Sequence, residues 1–286
     1  MTDADHPSLE GAAHSRDRTV ARVSRVLCTV LLLTVVRTAA AQGTPPRPYE
    51  PEIGQGGKDV VWVPTPPALV EKMLDMAQVT ADDLVMDLGS GDGRNIIAAA
   101  RRGARAIGVE YNPDMVALST RLADEAGVGG RASFIQGDMF TADISKATVM
   151  ALFLLPDNLE KLRDTFLALA PGTRLVMNTF DIPDWAPDEK ATLGEGCVSW
   201  CTAHLYYVPA PVEGRWTTSR GTLTLRQAFQ VVAGTLTTAN GDVAVSGRLR
   251  GAALTLDVGG APVHVTVRGD RLEGALSGTR LPAPRQ

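Results

Sequence analysis

The sequence predicts a doubly wound, mostly parallel α/β domain that is followed by a small C-terminal antiparallel β domain. From Val60 to about Pro209, short apolar runs alternate with stretches of helical periodicity. Repeated strand–helix–strand units of this kind form a parallel sheet with helices on both faces. Beyond Pro209 the chain is rich in threonine, valine and glycine, and apolar and polar residues alternate. That pattern is typical of antiparallel strands.

The first 41 residues have the layout of a secretory signal peptide. A basic flank, RDRTVARVSR, precedes an apolar core of 11 residues, VLCTVLLLTVV, and the small-residue exit RTAAAQ follows. This order predicts cleavage near Ala41 and export of the mature chain, periplasmic or secreted. An uncleaved segment that anchors the protein to a membrane is the alternative. Residues 42–58 are rich in proline and glycine and are predicted to be a linker.

Residues 59–208 form the predicted α/β domain. Its strands are DLVMDL, ARAIGVEY, ASFIQGD, ATVMALFLL and TRLVMNTF. Its helices are RNIIAAARRG, PDMVALSTRLADEAG and the segment from about Asp157 to Ala170. Proline in the first turn and glycine after the last mark the second helix. In such a sheet a ligand binds beyond the carboxyl ends of the strands, at the switch point.

Residues 209–286 form the predicted antiparallel domain. Asn240-Gly241 and Gly259-Gly260 have the composition of hairpin turns, and about six strands are expected in a small sheet or half-barrel. A lone small sheet is marginally stable in water, so it should pack on the first domain. Five arginines fall on or beside these strands: Arg226, Arg248, Arg250, Arg268 and Arg271. They form either a solvated face or a face that binds an anion or a protein.

The charge balance argues against a nucleic-acid partner. The formal net charge is −4 at pH 7, and the sequence contains no Lys/Arg cluster of the kind that tracks phosphates. A protein that follows a nucleic-acid backbone usually presents a basic face. We therefore expect no nucleic acid among the partners.

The glycine-rich loop after the first strand is predicted to bind a ligand. It contains Gly89, Ser90, Gly91 and Gly93, and the strand before it carries Asp87. Glycines allow a backbone to approach a ligand closely. A fixed negative charge would repel a phosphate group but attracts a cation. The loop therefore favours a ligand with positive charge over a dinucleotide.

Acids also end the next two strands. Glu110, with Tyr111 beside it, follows the loop by roughly 20 residues, where an acid binds both hydroxyls of a ribose. Asp138 ends the third strand and can accept from an exocyclic amine, while Met139 can pack on a purine. Together with Asp87, these residues predict a site for S-adenosylmethionine, whose amino group and sulfonium are positively charged.

The motifs DLGSGDGR and GVEYNP resemble those of class I methyltransferases. More narrowly, the chain is similar to the lysine methyltransferase family whose eukaryotic members modify the ATP synthase c subunit and the adenine nucleotide translocator. The likeness includes VPTP at residues 63–66, E-x-N-P at residues 110–113 and FDIPDW at residues 180–185. The resemblance implies a seven-stranded methyltransferase sheet, a protein-lysine substrate and a loop over the cofactor in which Thr65 orients the amine. A helix-capping role for Thr65 is the alternative.

The loop after the fourth strand should line the methyl-transfer channel. It lacks the Asn/Asp-Pro-Pro-aromatic tetrapeptide of enzymes that methylate adenine or glutamine amino groups. Leu155 and Pro156 are the channel candidates there, while Phe153 is expected to be strand core. Trp62 and Trp185 offer aromatic surface to a lysine stem. A small-molecule methyltransferase and an exported S-adenosylmethionine-binding module without turnover are the alternative functions.

The stretch CVSWCTAH brings two cysteines and a histidine close together. Cys197, Cys201 and His204 would supply three zinc ligands, but a fourth is not nearby and the stretch otherwise has the pattern of a strand. We therefore predict no metal site. In an exported protein Cys197 and Cys201 can form a disulfide if the chain turns between them. Two unpaired thiols are the alternative.

Overall fold

The computed structural model describes residues 49–282. The predicted signal peptide and the first part of the predicted linker lie outside the described residues. Within residues 49–282, no helix is both long and apolar enough to cross a membrane.

The first part of the described chain is a seven-stranded sheet flanked by helices. The strands are β1 (Leu84–Leu88), β2 (Arg105–Glu110), β3 (Ala132–Gln136), β4 (Val149–Leu152), β5 (Arg174–Asn178), β6 (Glu189–Thr192) and β7 (Thr202–Tyr207). The helices are α1 (Pro67–Met76), α2 (Arg94–Arg101), α3 (Pro113–Glu125) and α4 (Pro156–Leu167).

The strand order is β3-β2-β1-β4-β5-β7-β6. Strands β1 to β5 are parallel, while β7 runs antiparallel to β5 and β6 antiparallel to β7. The predicted doubly wound, mostly parallel sheet is therefore confirmed. The strand expected across CVSWCTAH begins only at Thr202, so both cysteines lie in the preceding loop.

Alternation along β1 decides which of its side chains reach the site. Val85 packs in the cluster that contains α1 and α2, whereas Met86 and Leu88 pack in the cluster on the opposite face. Because successive residues of a strand point to opposite faces, Asp87 shares the face of Val85. Asp87 is therefore directed towards α2, where Asn95 meets it.

Residues 209–282 contain a closed eight-stranded barrel, in place of the expected six-stranded sheet or half-barrel. Its strands are β8 (Gly214–Thr218), β9 (Gly221–Ala228), β10 (Val231–Thr238), β11 (Gly241–Arg250), β12 (Ala253–Val258), β13 (Ala261–Arg268), β14 (Arg271–Gly274) and β15 (Gly278–Arg280). The short β15 pairs with β8 and closes the barrel, which leaves no open sheet edge. Because a three-residue strand is too short to show alternation of apolar and polar residues, the sequence does not predict that the barrel closes.

The predicted turns are nearly correct. Gly259-Gly260 connects β12 and β13 as expected. The other turn consists of Ala239 and Asn240, because Gly241 is already the first residue of β11.

An aromatic stack joins the barrel to the sheet domain. The ring of Phe229, between β9 and β10, lies parallel to the ring of Trp185, with centroids 5.5 Å apart and an interplanar angle of 7°. Beside it, the side-chain amide of Gln230 donates to the carbonyl of Ala186 over 2.6 Å. The barrel thus packs on the loop that follows β5.

Two of the five barrel arginines also face the sheet domain. Arg248 pairs with Asp188 at 2.8 Å, and Arg250 pairs with Glu189 at 2.6 Å. The guanidinium of Arg250 also lies 4.3 Å from the ring centroid of Tyr207. These two arginines therefore contact the sheet domain, while their side chains stay about half exposed to solvent.

We expect Phe229→Ala to lower the free energy of unfolding by about 2–4 kcal/mol, because it leaves a void against Trp185. Urea denaturation followed by tryptophan fluorescence measures the change. Val231→Ala is the matched control, since Val231 lies two residues away and is exposed. Equal losses in the two variants would show that the stack does not stabilise the interface.

Candidate cofactor and substrate cleft

A cleft opens where the strand order reverses, beyond the carboxyl ends of β1 and β4. The glycine-rich loop forms one wall, and the chain after β4 forms another. Residues 55–65, which we call the strap, run along the same cleft. Residues 55–58 belong to the predicted linker; residues 55–57 line this cleft, and Lys58 lines an adjoining recess.

The glycines of the loop are required mainly by the protein's own packing. Gly91 has φ +56°, and a Cβ there would lie 2.7 Å from Nε1 of Trp62. Gly93 has φ +80°, and a Cβ there would lie 2.6 Å from the ring of Phe134. An added Cβ on Gly93 would meet this ring, and Gly93 is not among the residues that line the cleft, so its role as a cofactor contact stays a prediction. Gly89 does line the cleft.

Asp87 is a buried acid with one oxygen bonded and one oxygen free. Its Oδ2 accepts from the side-chain amide of Asn95 over 3.0 Å. Its Oδ1 has no partner among the described residues. Burial raises the pKa of Asp87 well above its usual value, and the nearby charges of Glu110 and Asp92 raise it further. Such a carboxylate is stabilised by a cation that enters the cleft.

Two more buried polar atoms at the cleft lack a partner among the described residues. They are Oγ of Ser90 and Oδ1 of Asn95, and both residues line the same cavity as Asp87. Buried polar groups are nearly always hydrogen-bonded. Ser90 Oγ lies against β2, 2.5 Å from the position that a Cβ on Gly108 would occupy. The free oxygens of Asp87 and Asn95 are acceptors on residues that line the cavity, and they fit a ligand that carries donors and a positive charge.

Glu110 lies at the end of β2 and orients the loop. Its Oε2 accepts from the backbone N–H of Gly91, and its Oε1 accepts from the backbone N–H of Asn112, each over 2.9 Å. A carboxylate has about four acceptor positions, so each oxygen keeps one for a ligand. This geometry supports the predicted role of Glu110 as the acid that binds ribose hydroxyls.

The remaining predicted cofactor residues line an adjoining recess with Glu110. They are Tyr111, Asp138 and Met139. Asp138 accepts from Nζ of Lys58 over 2.6 Å, and this bond lowers the pKa of Asp138. Lys58 also lies 5.1 Å from the ring centroid of Tyr111. Sequence reasoning missed Lys58, because a lysine in a proline- and glycine-rich stretch carries no pattern.

Thr65 is buried and fixed by the end of β5. Its Oγ1 accepts from the side-chain amide of Asn178 over 3.2 Å, and its carbonyl accepts from Arg94 over 2.6 Å. Helix α1 begins at Pro67 with Pro66 as its N-cap, so the capping role considered for Thr65 is wrong. Its hydroxyl lines the cleft instead.

The substrate end of the cleft differs in part from the prediction. Trp62 and Leu155 line it as expected, while Pro156 begins α4 and does not. Phe153 was expected to be strand core, but β4 ends at Leu152 and Phe153 lines the cleft.

Trp185, which was predicted to line the substrate channel, lies in the core instead. It is 1% exposed and packs edge-on against Tyr206, besides its stack on the barrel. The tryptophan that lines this end of the cleft is Trp200, together with Phe153 and Phe180.

Trp200 belongs to a loop closed by a disulfide between Cys197 and Cys201, whose Cα atoms are 5.9 Å apart. This bond decides between the disulfide and the unpaired thiols, and it removes both cysteines as zinc ligands. Within residues 49–282, no cluster of histidine, cysteine and acidic side chains is arranged to hold a metal ion.

Comparison with known proteins agrees with this geometry. Residues 87–189 match the ANTKMT methyltransferase domain family. A protein-lysine N-methyltransferase of Saccharolobus islandicus is 41% identical, over 52% of this chain and 94% of that protein. The Mus musculus lysine N-methyltransferase that is named for the ATP synthase c subunit is 37% identical, over 47% of this chain and 54% of that protein. This chain therefore matches only about half of the mouse enzyme.

A solved structure of an RNA methyltransferase from Salinibacter ruber in complex with S-adenosyl-L-homocysteine is 47% identical. The match covers 52% of this chain and 96% of that chain, with a TM-score of 0.49. The family match and the relatives confirm the resemblance that the sequence motifs carry. The chain belongs to the ANTKMT family of methyltransferases, and its cofactor is S-adenosylmethionine.

Proposed function

We propose that this methyltransferase acts on the side-chain amine of a lysine in a protein. The observation that carries the proposal is the Thr65 hydroxyl, held by Asn178 in a cleft that Asp87 also lines. One oxygen of Asp87, Oδ1, has no partner among the described residues. Trp62 and Leu155 supply apolar surface in the same cleft. The names of the two lysine methyltransferases among its relatives support the same acceptor.

The cleft prepares an amine by desolvation and orientation. S-adenosylmethionine supplies an electrophilic methyl group when it is bound. An apolar lining disfavours the charged ammonium and lowers the pKa of an entering lysine, so its proton leaves to water. Because Asn178 donates to Thr65 Oγ1, that oxygen is fixed and can accept an N–H of the neutral amine. The nitrogen lone pair then stays free for in-line attack.

To test the acceptor, purified protein is incubated with methyl-labelled cofactor and a cell extract. We expect acid-stable label in protein, recovered on lysine after hydrolysis. Asp87→Asn is the control and should abolish most of the label, because it removes the acid that the cofactor's cation needs. Label confined to small molecules or to RNA would contradict the lysine proposal and leave the methyltransferase assignment unchanged.

The ionisation of Asp87 couples cofactor binding to pH. Its pKa in the folded, cofactor-free protein is raised, so between the unfolded pKa and the folded pKa the native state holds more protons. By linkage, the free energy of unfolding falls as the pH rises through this window, and it stays lower at every pH above the folded pKa. A bound cation reverses the effect because it favours the carboxylate.

We therefore expect Asp87→Asn to change stability and affinity in opposite directions. At neutral pH the cofactor-free variant should be about 1–3 kcal/mol more stable, since no buried charge remains unpaired. Its affinity for S-adenosylmethionine should be at least about tenfold lower, since a charged hydrogen bond is lost. Thermal unfolding from pH 4 to 8 and calorimetry measure the two effects. Asp164→Asn, at an exposed position, is the control. A variant less stable than the wild type at neutral pH would contradict this account.

We propose further that the chain is exported and cleaved near Ala41. The basic, apolar and small-residue segments of the N-terminus support this. The Cys197–Cys201 disulfide supports it as well, because disulfides persist in oxidising compartments. A membrane-anchored chain is the competing proposal.

N-terminal sequencing of the protein isolated from its native source tests the cleavage. We expect the mature chain to begin near Gln42, because small residues precede that position and permit cleavage. A chain that still begins at Met1 and fractionates with membranes would contradict cleavage and favour the anchor.

A further inference from the structure

We propose that Trp200, with Phe153 and Phe180, forms an aromatic wall that binds the lysine stem of the methyl acceptor, and its ammonium on entry, before the amine loses its proton beside Thr65. The disulfide-closed loop of residues 197–201 presents Trp200 to this wall. The inference rests on the proposed amine acceptor and names the residues that recognise it.

The three rings form one continuous surface in the cleft. The centroid of Trp200 lies 5.5 Å from that of Phe153 and 5.7 Å from that of Phe180, with interplanar angles of 58° and 55°. Phe153 and Phe180 are stacked with centroids 6.1 Å apart. Because all three line the cleft, they offer it π-surface of the kind that attracts a cation within about 6 Å of a ring centroid.

Trp200 keeps part of its surface available for a ligand. It is 38% exposed, although it contacts both phenylalanine rings. Val198, in the same loop, is 95% exposed and is not among the cleft residues. The loop therefore directs one large side chain to the cleft and another to solvent.

The backbone that carries the wall is held in an uncommon conformation. Trp200 has φ +59°, and Thr179, which precedes Phe180, has φ +61°. Non-glycine residues persist in this region only when the surrounding structure imposes it, and such positions concentrate at functional sites. For Trp200 the surrounding constraints are the disulfide to the next residue and the two rings. For Thr179 one constraint is its hydroxyl, which donates to Asn178 over 2.8 Å.

The wall adjoins the groups that act on the amine and the cofactor. Asn178, which fixes Thr65, lies two residues before Phe180. On the other side, Leu154 follows Phe153, and its side chain lies 3.6 Å from the position that a Cβ on Gly89 would occupy. A lysine stem lying along the wall would therefore lead from the cleft mouth to the cofactor loop.

The test compares Trp200→Leu, which keeps apolar bulk but loses the π-face, with Trp200→Phe, which keeps a ring. Val198→Ala is the control in the same loop. The acceptor is the protein that becomes labelled in the extract assay, and cofactor affinity is measured separately by calorimetry. We expect Trp200→Leu to raise the acceptor KM about 5- to 30-fold, with kcat and cofactor affinity within twofold of the wild type.

Trp200→Phe should retain most of the affinity, and Cys197→Ser with Cys201→Ser should raise KM as Trp200→Leu does. A KM within twofold of the wild type for Trp200→Leu would overturn the proposal. An equal rise in the acceptor KM for Trp200→Leu and Trp200→Phe would also overturn it, because such a result would indicate that Trp200 acts only through packing. A variant that does not fold is replaced by Phe153→Leu under the same criteria.

A second measurement separates this proposal from the lysine proposal. Tryptophan fluorescence quenching by Nα-acetyl-lysine methylamide is compared with quenching by its uncharged norleucine analogue. The difference measures cation binding at the wall without any methyl transfer. Preferential quenching by the lysine compound that is lost in Trp200→Leu supports the wall even if no protein is labelled. Labelled protein without a cation preference in quenching would overturn the wall and leave the lysine proposal intact.

Discussion

The buried carboxylate of Asp87 is the constraint around which the site is built. It lies at the end of a central strand, on the face that meets α2, and only one of its oxygens is satisfied by the described part of the chain. A free buried oxygen of this kind costs stability unless a donor or cation meets it. The loop, Glu110 and the strap surround the space where such a ligand must lie. Without a ligand this oxygen destabilises the fold, and a cation bound beside it would offset that cost.

The sequence predicted what depends on periodicity and on strand ends. The order of apolar runs predicted the parallel sheet, and the acids at successive strand ends predicted Asp87, Glu110 and Asp138. It could not predict features that depend on tertiary contacts. The closing strand β15 is too short for a pattern, and the strap has the composition of a linker. Trp185 and Trp200 are both tryptophans after β5. Tertiary packing against Tyr206 and the barrel puts the first in the core, while the disulfide loop carries the second to the cleft.

The barrel explains part of that difference. By stacking Phe229 on Trp185, it gives the loop after β5 a fixed partner on the side away from the cleft. Ion pairs from Arg248 and Arg250 hold the segment that leads into β6. The antiparallel strands β6 and β7 flank the disulfide loop, so the barrel supports the region that positions Trp200.

The acids expected to contact the cofactor lie in one stretch of the chain, whereas the residues proposed to contact the acceptor come from that stretch and from both of its flanks. Residues 87–189, which match the family, include every acid expected to contact S-adenosylmethionine. Trp62 and Thr65 precede that range, and Trp200 follows it. The proposed aromatic wall combines Phe153 and Phe180 from this range with Trp200 from outside it. A change at Trp62 or Trp200 can therefore alter contacts to the proposed acceptor without replacing Asp87 or Glu110.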